Sequence, residues 1–578
     1  MYIYKLVVEN FRNCKSFEWK PTKGLNIIFG PNGIGKTTLA EAMSLVFSSN
    51  RFDNYFEKSD FYKGDTNLKI KIQVWLKEFE DIGITISDKI QFIDKDDKLI
   101  VDDGNTDAIP VVIYQLESDL EQKMEWSFYN VNQPIHCKIA DRQAINYIHI
   151  GADRQPHKEL GMQTSSTFYK LSKDIIETEL NIITKEIMEF ADDKLNESLE
   201  INRYLEELKN MSVLNIIENY SLMIKSPIST WNSSGFELGS VIGDTKLSFN
   251  KHSKGIQNIL LLLLMKQQLN KAGIVFIEEL EQNLEPKRQR YIAGEYKNLT
   301  SGQVFITSHS PDIISHFDYE NVGMMTDTTI LSILKGVEKI GSNIKEIYRF
   351  NKKEFLAALM AQNVLLVEGE SEFESFPIYS NASDFSFDKY DIEMIRMGGK
   401  AKVDIYCKLF KYFNKKVFVL LDNDPDITNV LNKARNNADN VYLAMNSYED
   451  LIYRYHPSYL NKLNELVDFS YVRQKLISIY EQNVPKGKDI KIKEEMTANQ
   501  IDPKSLRSYE DLWNNKVLIE YIMHDSFAAA YYARAVANFI VEEGIVPTAF
   551  TEMIKHISGE EGGLQLYKTY SNVYEIRG

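Results

Sequence analysis

Short, wholly apolar runs recur along the chain between longer stretches whose apolar residues fall at helical spacing, the pattern of buried strands alternating with helices. Five of these runs end abruptly in glycine-rich, acidic or otherwise polar turns. "LNIIF" passes into "GPNGIGKTTLAEAM", "IVFI" into "EELEQNLEP", "VFITS" into "HSPDII", "VLLV" into "EGESEF" and "VFVLL" into "DNDPDI". Such an arrangement predicts an α/β chain in which strand ends carry the chemistry.

Between the first two runs the pattern changes twice. Residues 66–150 contain alternating segments, "NLKIKIQVWLKEF" and "AIPVVIYQL", which suit an antiparallel sheet. From Leu171 to about Lys225 apolar residues keep helical spacing with many acids and no Pro or Gly. Heptads are not sustained, so a compact insert of two or three helices used for dimerisation is expected, not a long coiled coil. "GSNIKEIYRFNKK" interrupts the pattern and marks a boundary near Ser342–Lys353.

Composition narrows the class. At 578 residues the chain is long enough for three or four domains, and 44% hydrophobic content supplies their cores. The apolar run "ILLLLLM" (Ile259–Met265) is far too short to span a bilayer and reads as a buried helix. The opening residues carry no secretion signal, and Cys14, Cys137 and Cys407 stand far apart, so the expected compartment is the reducing cytoplasm. A formal charge of −15 argues against a basic nucleic-acid coat but leaves room for a local groove. "VPKGKDIKIK" and "LFKYFNKK" are the candidates, with solvated faces as the preferred reading of both.

The turn after Leu25–Phe29 fits G-x-x-x-x-G-K-[ST] at Gly30, Gly35, Lys36 and Thr37. Glycines let backbone N–H groups wrap phosphates, Lys36 reaches the outer phosphates, the Thr37 hydroxyl ligates Mg²⁺, and the helix start favours the anion. Asn32, Gly33 and Thr38 complete this ATP cradle. Glu278 and Glu279 end the second run, the first as the metal-associated acid and the second as the acid that activates water. His309, after the third run, resembles the γ-phosphate sensor of ABC-type ATPases in its distance beyond the acidic strand end. In "NKHSKGIQNILLLLLM", Ser253 and Gly255 open an apolar helix and resemble a degenerate signature of ABC-type ATPases, which meets the nucleotide of another subunit.

In this order the motifs resemble the recombination and structural-maintenance branch of ABC-type ATPases, as does the opening "LVVENFRNCKSFEW". The resemblance implies a homodimer with nucleotide between two heads. It also leaves two readings of Arg12: contact with the nucleotide, or a surface charge at a strand end.

The last two runs form a second centre. Glu368 and Gly369 close one strand, with Glu370 and Glu372 behind; "IRMGGKAKVDIY" follows, with a glycine pair and Lys400; Asp422, Asp424 and Asp426 close the other strand. Packed carboxylates repel unless a divalent ion offsets their charge, and oxygen ligands suit Mg²⁺ or Mn²⁺. Taken singly, Glu370, Asp426 and Glu449 read as solvated turn residues. The pattern is similar to the Toprim fold, a Rossmann-like α/β domain of topoisomerases, primases and certain nucleases.

An ABC-type head, a helical insert and a C-terminal Toprim domain together resemble the OLD (overcoming lysogenization defect) family, which includes the nuclease subunit of Gabija antiphage systems and retron-associated nucleases. "NYFEKSDFYKGDTNLKIKI" and "NSYEDLIYR" resemble further segments of that family. The resemblance implies Glu368, Glu372, Asp422 and Asp424 as principal ligands or acid–base groups, with Glu449 or Asp450 at a second metal position. Where the family has a functional Lys, "AAAYYARAVANFIVEEG" offers Arg534, which neutralises a phosphate but donates no proton.

The expected domains are then an ATPase part at 1–170, the helical insert at 171–240, the rest of the ATPase at 241–350 and Toprim at 355–578. The expected activity is an ATP-hydrolysing, Mg²⁺- or Mn²⁺-dependent DNA endonuclease of antiphage defence. Its partners would be DNA, a second copy, and a helicase or a reverse transcriptase with its RNA–DNA product. The alternative is a non-nucleolytic DNA-repair ATPase whose Toprim domain only binds nucleic acid. A topoisomerase would need a Tyr nucleophile, and no accompanying topoisomerase module is visible.

Overall fold

The computed structural model describes residues 1–47, 55–79, 88–100, 108–118, 121–152, 156–161, parts of 166–175, 198–211, 219–224, 236–242, 245–269, 273–299, 301–342, 351–423, 427–444, 469–485 and 488–508. Beyond these it describes single residues between 511 and 518, 529–559 apart from 543 and 545, and 566–576 apart from 571. Two compact units divide at Lys335 and Gly336.

In chain order the strands of the first unit are β1 (Tyr2–Phe11), β2 (Cys14–Trp19), β3 (Leu25–Phe29), β4 (Lys71–Lys77), β5 (Ile90–Ile93), β6 (Leu99–Ile100), β7 (Ile109–Ser118), β8 (Met124–Phe128), β9 (Ile135–His136), β10 (Tyr147–Ile150), β11 (Asn219–Ile224), β12 (Phe236–Ile242), β13 (Thr245–Ser248), β14 (Ile274–Ile277), β15 (Gln303–Ser308), β16 (Val322–Met325) and β17 (Ile330–Ser332). One sheet runs β2-β1-β4-β7-β5-β6, with β8 on β7 and β9 on β8, antiparallel throughout. A second runs β10-β14-β15-β3-β16-β17 and is parallel except for β17, and a third, antiparallel, is β11-β12-β13.

Burial explains the difference between the first two sheets. Every residue of β3, β14 and β15 is buried, as expected of strands covered on both faces, whereas β1 and β2 alternate more. Helix α1 (Lys36–Phe47) lays Leu39, Ala40, Met43 and Val46 into the core shared by these two sheets. Helix α2 (Lys254–Leu269) buries every residue from Ile259 to Met265, which is why no polar face shows in that run.

The second unit holds β18 (Asn363–Val367), β19 (Ile392–Arg396), β20 (Lys416–Asp422), β21 (Asn440–Ala444), β22 (Leu566–Tyr570) and β23 (Val573–Ile576). Their order is β19-β18-β20-β21-β23-β22, parallel except for β22. Helix α3 (Glu370–Asn381) follows β18 directly and packs against α4 (Ala529–Glu542).

Three local expectations change. β10 is not part of the antiparallel tract: it joins the parallel sheet beside β14, so the stretch 66–150 feeds both sheets. β11 lies inside the segment read as helical; "NYSLMI" alternates polar and apolar residues at Asn219–Leu222, and β12 supplies its hydrogen bonds. In the run read as a basic surface, Lys411 pairs with Asp439, while Lys415 is 7% exposed and burial lowers its amine to about 8. No described helix is long and apolar enough to cross a membrane.

Candidate functional site

Parallel strands deliver their carboxyl ends to one edge of a sheet. Because β15 pairs with both β3 and β14, the turns after these three strands are neighbours, which brings the loop at Gly30, the acids at Glu278 and Glu279, and His309 together.

The loop after β3 has positive φ at Gly30, Gly33 and Gly35. At Gly35, φ is +111° and a Cβ would stand 3.2 Å from Met325 Cε, so both conformation and space call for glycine. Lys36 is 8% exposed, and its Nζ donates to the carbonyl oxygens of Gly30 at 2.7 Å and Pro31 at 2.9 Å. Burial lowers its amine from the ordinary lysine value, while Glu279 and Glu281 act in the opposite direction. Asn32, Gly33 and Thr37 are exposed and Thr38 is buried. This is a cradle of backbone N–H groups, a lysine and a hydroxyl, a donor set that fits a nucleotide polyphosphate with a hard divalent ion.

The β1–β2 turn reaches the same loop: Asn13 Nδ2 donates to the Gly33 carbonyl at 2.9 Å. Beside it Arg12, at φ +48°, pairs with Glu41 of α1 and, through Nε at 3.1 Å, with Asp60. Arg12 is therefore anchored to the helix of the phosphate loop. Asp60 lies in the segment "NYFEKSDFYKGD", which this contact connects to the nucleotide region.

Glu278 is 2% exposed, and its Oε1 lies 2.7 Å from His149 Nε2, at the end of β10. Glu279 follows at φ +45°, a strained conformation for a side chain of this size, and its N–H donates to Thr307 Oγ1 at 3.1 Å. His309 Nδ1 stands 4.0 Å from Glu279 but 3.3 Å from Glu281 Oε1. His149 and Glu281 are residues that sequence reading passed over. Their signals were faint: a lone histidine two residues before a glycine, and a third acid in "EELE".

Ser253 and Gly255 sit at the start of α2. Ser253 is exposed, and its Oγ accepts from Ile256 N at 3.4 Å. A Cβ on Gly255 would meet the Asn283 carbonyl at 2.9 Å, and Asn258 Nδ2 donates to the Gln282 carbonyl at 3.0 Å. Helix α2 is thus packed on the turn that follows Glu278 and Glu279, with Gln257 Nε2 closing the preceding turn on the His252 carbonyl at 2.9 Å.

In the second unit, β18 and β20 are parallel neighbours, so Glu368 and Asp422 end side by side. The Asp422 N–H donates to Glu368 Oε1 at 3.1 Å, and the Gly399 N–H donates to the Glu368 carbonyl at 3.2 Å. Gly398 and Gly399 have φ of +63° and +116°, which lets the "MGGK" turn fold onto this edge. Glu372, in the first turn of α3, is 6% exposed, and one of its oxygens lies 3.7 Å from where a Cβ of Gly369 would stand. Glu370 points elsewhere, paired with Arg396, which also holds Glu354 at 3.1 Å. Arg534, on α4, stands 3.9 Å from Glu374 with its side chain 68% exposed. Asp424, Asp426, Glu449 and Asp450 lie outside the described residues. Among the described residues no three acids, histidines or cysteines converge as a metal cage. Glu368 and Asp422, which end adjacent strands, carry hard carboxylate oxygens, and that chemistry fits Mg²⁺ or Mn²⁺.

Residues 25–315, just over half of the chain, match the family described as "AAA domain, putative AbiEii toxin, Type IV TA system". The chain belongs to this AAA-domain family. Behind the AAA domain, residues 359–424 match the TOPRIM domain of overcoming lysogenization defect protein-like chains. The AAA–TOPRIM chain is homologous to the OLD nuclease of Thermus scotoductus, 23% identical over 73% of this chain and 81% of the relative. It is likewise homologous to endonuclease GajA of Bacillus cereus, 24% identical over 75% and 74%. The DNA replication and repair protein RecF of Shewanella woodyi is 23% identical over 54% of the AAA–TOPRIM chain and 92% of its own length.

Proposed function

We propose that the protein is an ATP-binding and ATP-hydrolysing DNA endonuclease that depends on a divalent metal. The observation that carries the reading is the Glu368–Asp422 juxtaposition at the edge of a parallel sheet, within the span that matches the OLD-like TOPRIM domain. Two relatives named as nucleases, each aligned over about three quarters of the chain, support it.

In this reading Lys36 and the loop N–H groups bind the triphosphate, Thr37 and Glu278 hold its metal, Glu279 takes a proton from water, and His309 contacts the terminal phosphate. Ser253 and Gly255 act on nucleotide bound by a second copy. In the nuclease centre Glu368, Glu372, Asp422 and Asp424 hold Mg²⁺ or Mn²⁺, with Glu449 or Asp450 at a second position and Arg534 as the phosphate-side cation. A divalent ion held there would supply charge to polarise the scissile phosphate and to lower the pKa of the attacking water. The carboxylates orient that metal and keep its charge at the sheet edge. A role in antiphage defence, with the ATPase heads regulating cleavage, is part of the same proposal and rests on the motif resemblance to the OLD family.

A second reading, a repair ATPase that binds DNA without cutting it, draws on the RecF relative. Its alignment spans little more than half of this chain. Incubating supercoiled plasmid with the protein and Mg²⁺ or Mn²⁺, beside an Asp422→Ala/Asp424→Ala variant, separates the two. Cleavage by wild type alone is the expected result; cleavage by both proteins, or by neither, overturns the endonuclease reading.

A further inference from the structure

We infer that Glu281 is a positioning residue for ATP turnover, holding the His309 ring and its turn in place. The inference rests on the ATPase reading above and concerns a residue that no motif assigns.

One carboxylate oxygen gathers the whole turn. Glu281 Oε1 accepts from Ser308 Oγ at 2.9 Å and from the His309 main-chain N–H at 2.9 Å, and lies 3.3 Å from His309 Nδ1. Ser308 Oγ in turn accepts from Ser310 N at 3.0 Å, and Ser310 caps the short helix Pro311–Ile314. The Glu281 side chain is 11% exposed, so these bonds form where water competes poorly.

Glu279, the acid read from the sequence as activating water, has its oxygen 4.0 Å from His309 Nδ1, outside hydrogen-bond distance. Glu281 therefore takes the orienting contact. With Nδ1 turned to this carboxylate, Nε2 is the ring nitrogen presented to a ligand. The division leaves Glu279 to act on water, two residues earlier in the same turn. Leu280 N–H donates to the Thr307 carbonyl at 3.2 Å and Glu279 N–H to Thr307 Oγ1, so the acidic turn and the histidine turn form one stitched unit.

The test is a double-mutant cycle on the full chain, with Glu281→Ala, Glu281→Gln, His309→Ala and the Glu281→Ala/His309→Ala pair. Expected are a loss in kcat for ATP of about tenfold or more in Glu281→Ala, a KM within about twofold of wild type, and a pair no slower than His309→Ala alone. Glu281→Gln keeps an acceptor for the two donors and should recover part of the loss; it also serves as the folding control. A Glu281→Ala turnover within twofold of wild type, or a loss that adds to that of His309→Ala, overturns the inference. If wild type binds ATP without turning it over, the ATPase reading fails on its own. The inference is then decided by ¹⁵N-histidine spectra, where Glu281→Ala must shift the His309 Nδ1 resonance identified with His309→Ala, and an unmoved resonance overturns it.

Discussion

The main-chain N–H of Asp422 donates to the side chain of Glu368, 3.1 Å away, so the end of one strand is pinned by the acid that ends its neighbour. Removing either acid should abolish metal-dependent cleavage, whereas removing both should cost little more than removing one. Plasmid nicking by Glu368→Ala, Asp422→Ala and the pair, each at matched Mn²⁺, measures this. The expected loss is about two orders of magnitude for each, with ATP turnover within about twofold of wild type. Equal loss of both activities would point to misfolding instead.

Lys36 and Glu279 belong to different steps and should separate. Lys36→Ala removes the cation of the phosphate loop and is expected to weaken binding of a fluorescent ATP analogue at least about tenfold. Glu279→Gln should leave that binding intact and lower turnover by about 100-fold. An unaltered hydrolysis rate in Glu279→Gln would remove it as the water-activating acid.

His149 stands against Glu278 at 2.7 Å, in a place where only 2% of Glu278 is exposed. Replacing it by Phe takes a hydrogen-bond partner from a buried carboxylate, a change that costs about 1–3 kcal/mol. Thermal melting of His149→Phe should fall by a few degrees, and His149→Gln should recover part of it. Identical melting of the two variants and wild type would show that the contact contributes nothing.

Glu393, on β19, gives a pH signature. Burial, then Asp388, Glu354 and Asp391, raise its carboxyl from 4.5 to about 6. The folded state therefore binds this proton more tightly than the unfolded chain, and stability falls as pH rises between 4.5 and 6. Glu393→Gln should melt higher than wild type at pH 7, by about 1–2 kcal/mol, and gain nothing below pH 4.5. A constant difference across the range would exclude titration of Glu393 as its cause.

The sequence disclosed whatever is local. The phosphate loop is one turn, and Glu368 and Asp422 each close an apolar run that can only be a buried strand, so these were readable without coordinates. His149 was not, because it matters only once β10 leaves the antiparallel tract and pairs with β14, far along the chain. Glu281 was hidden differently: "EELE" shows three acids, and only the backbone path of the turn decides which reaches His309. Glu370 shows the converse. Read singly as a solvated turn residue, it is partly satisfied by Arg396, at the end of β19.

The placement of β15 between β3 and β14 also sets an order in time. Lys36 and His309 come from opposite ends of the first unit's sequence, so a growing chain cannot bring the two together until nearly all of that unit has been made. The acidic edge comes later still, and β21 gains its outer neighbour only when β23 is synthesised. Translation thus brings the phosphate loop and His309 together before the chain carries the carboxylates that, in the proposed function, would meet DNA.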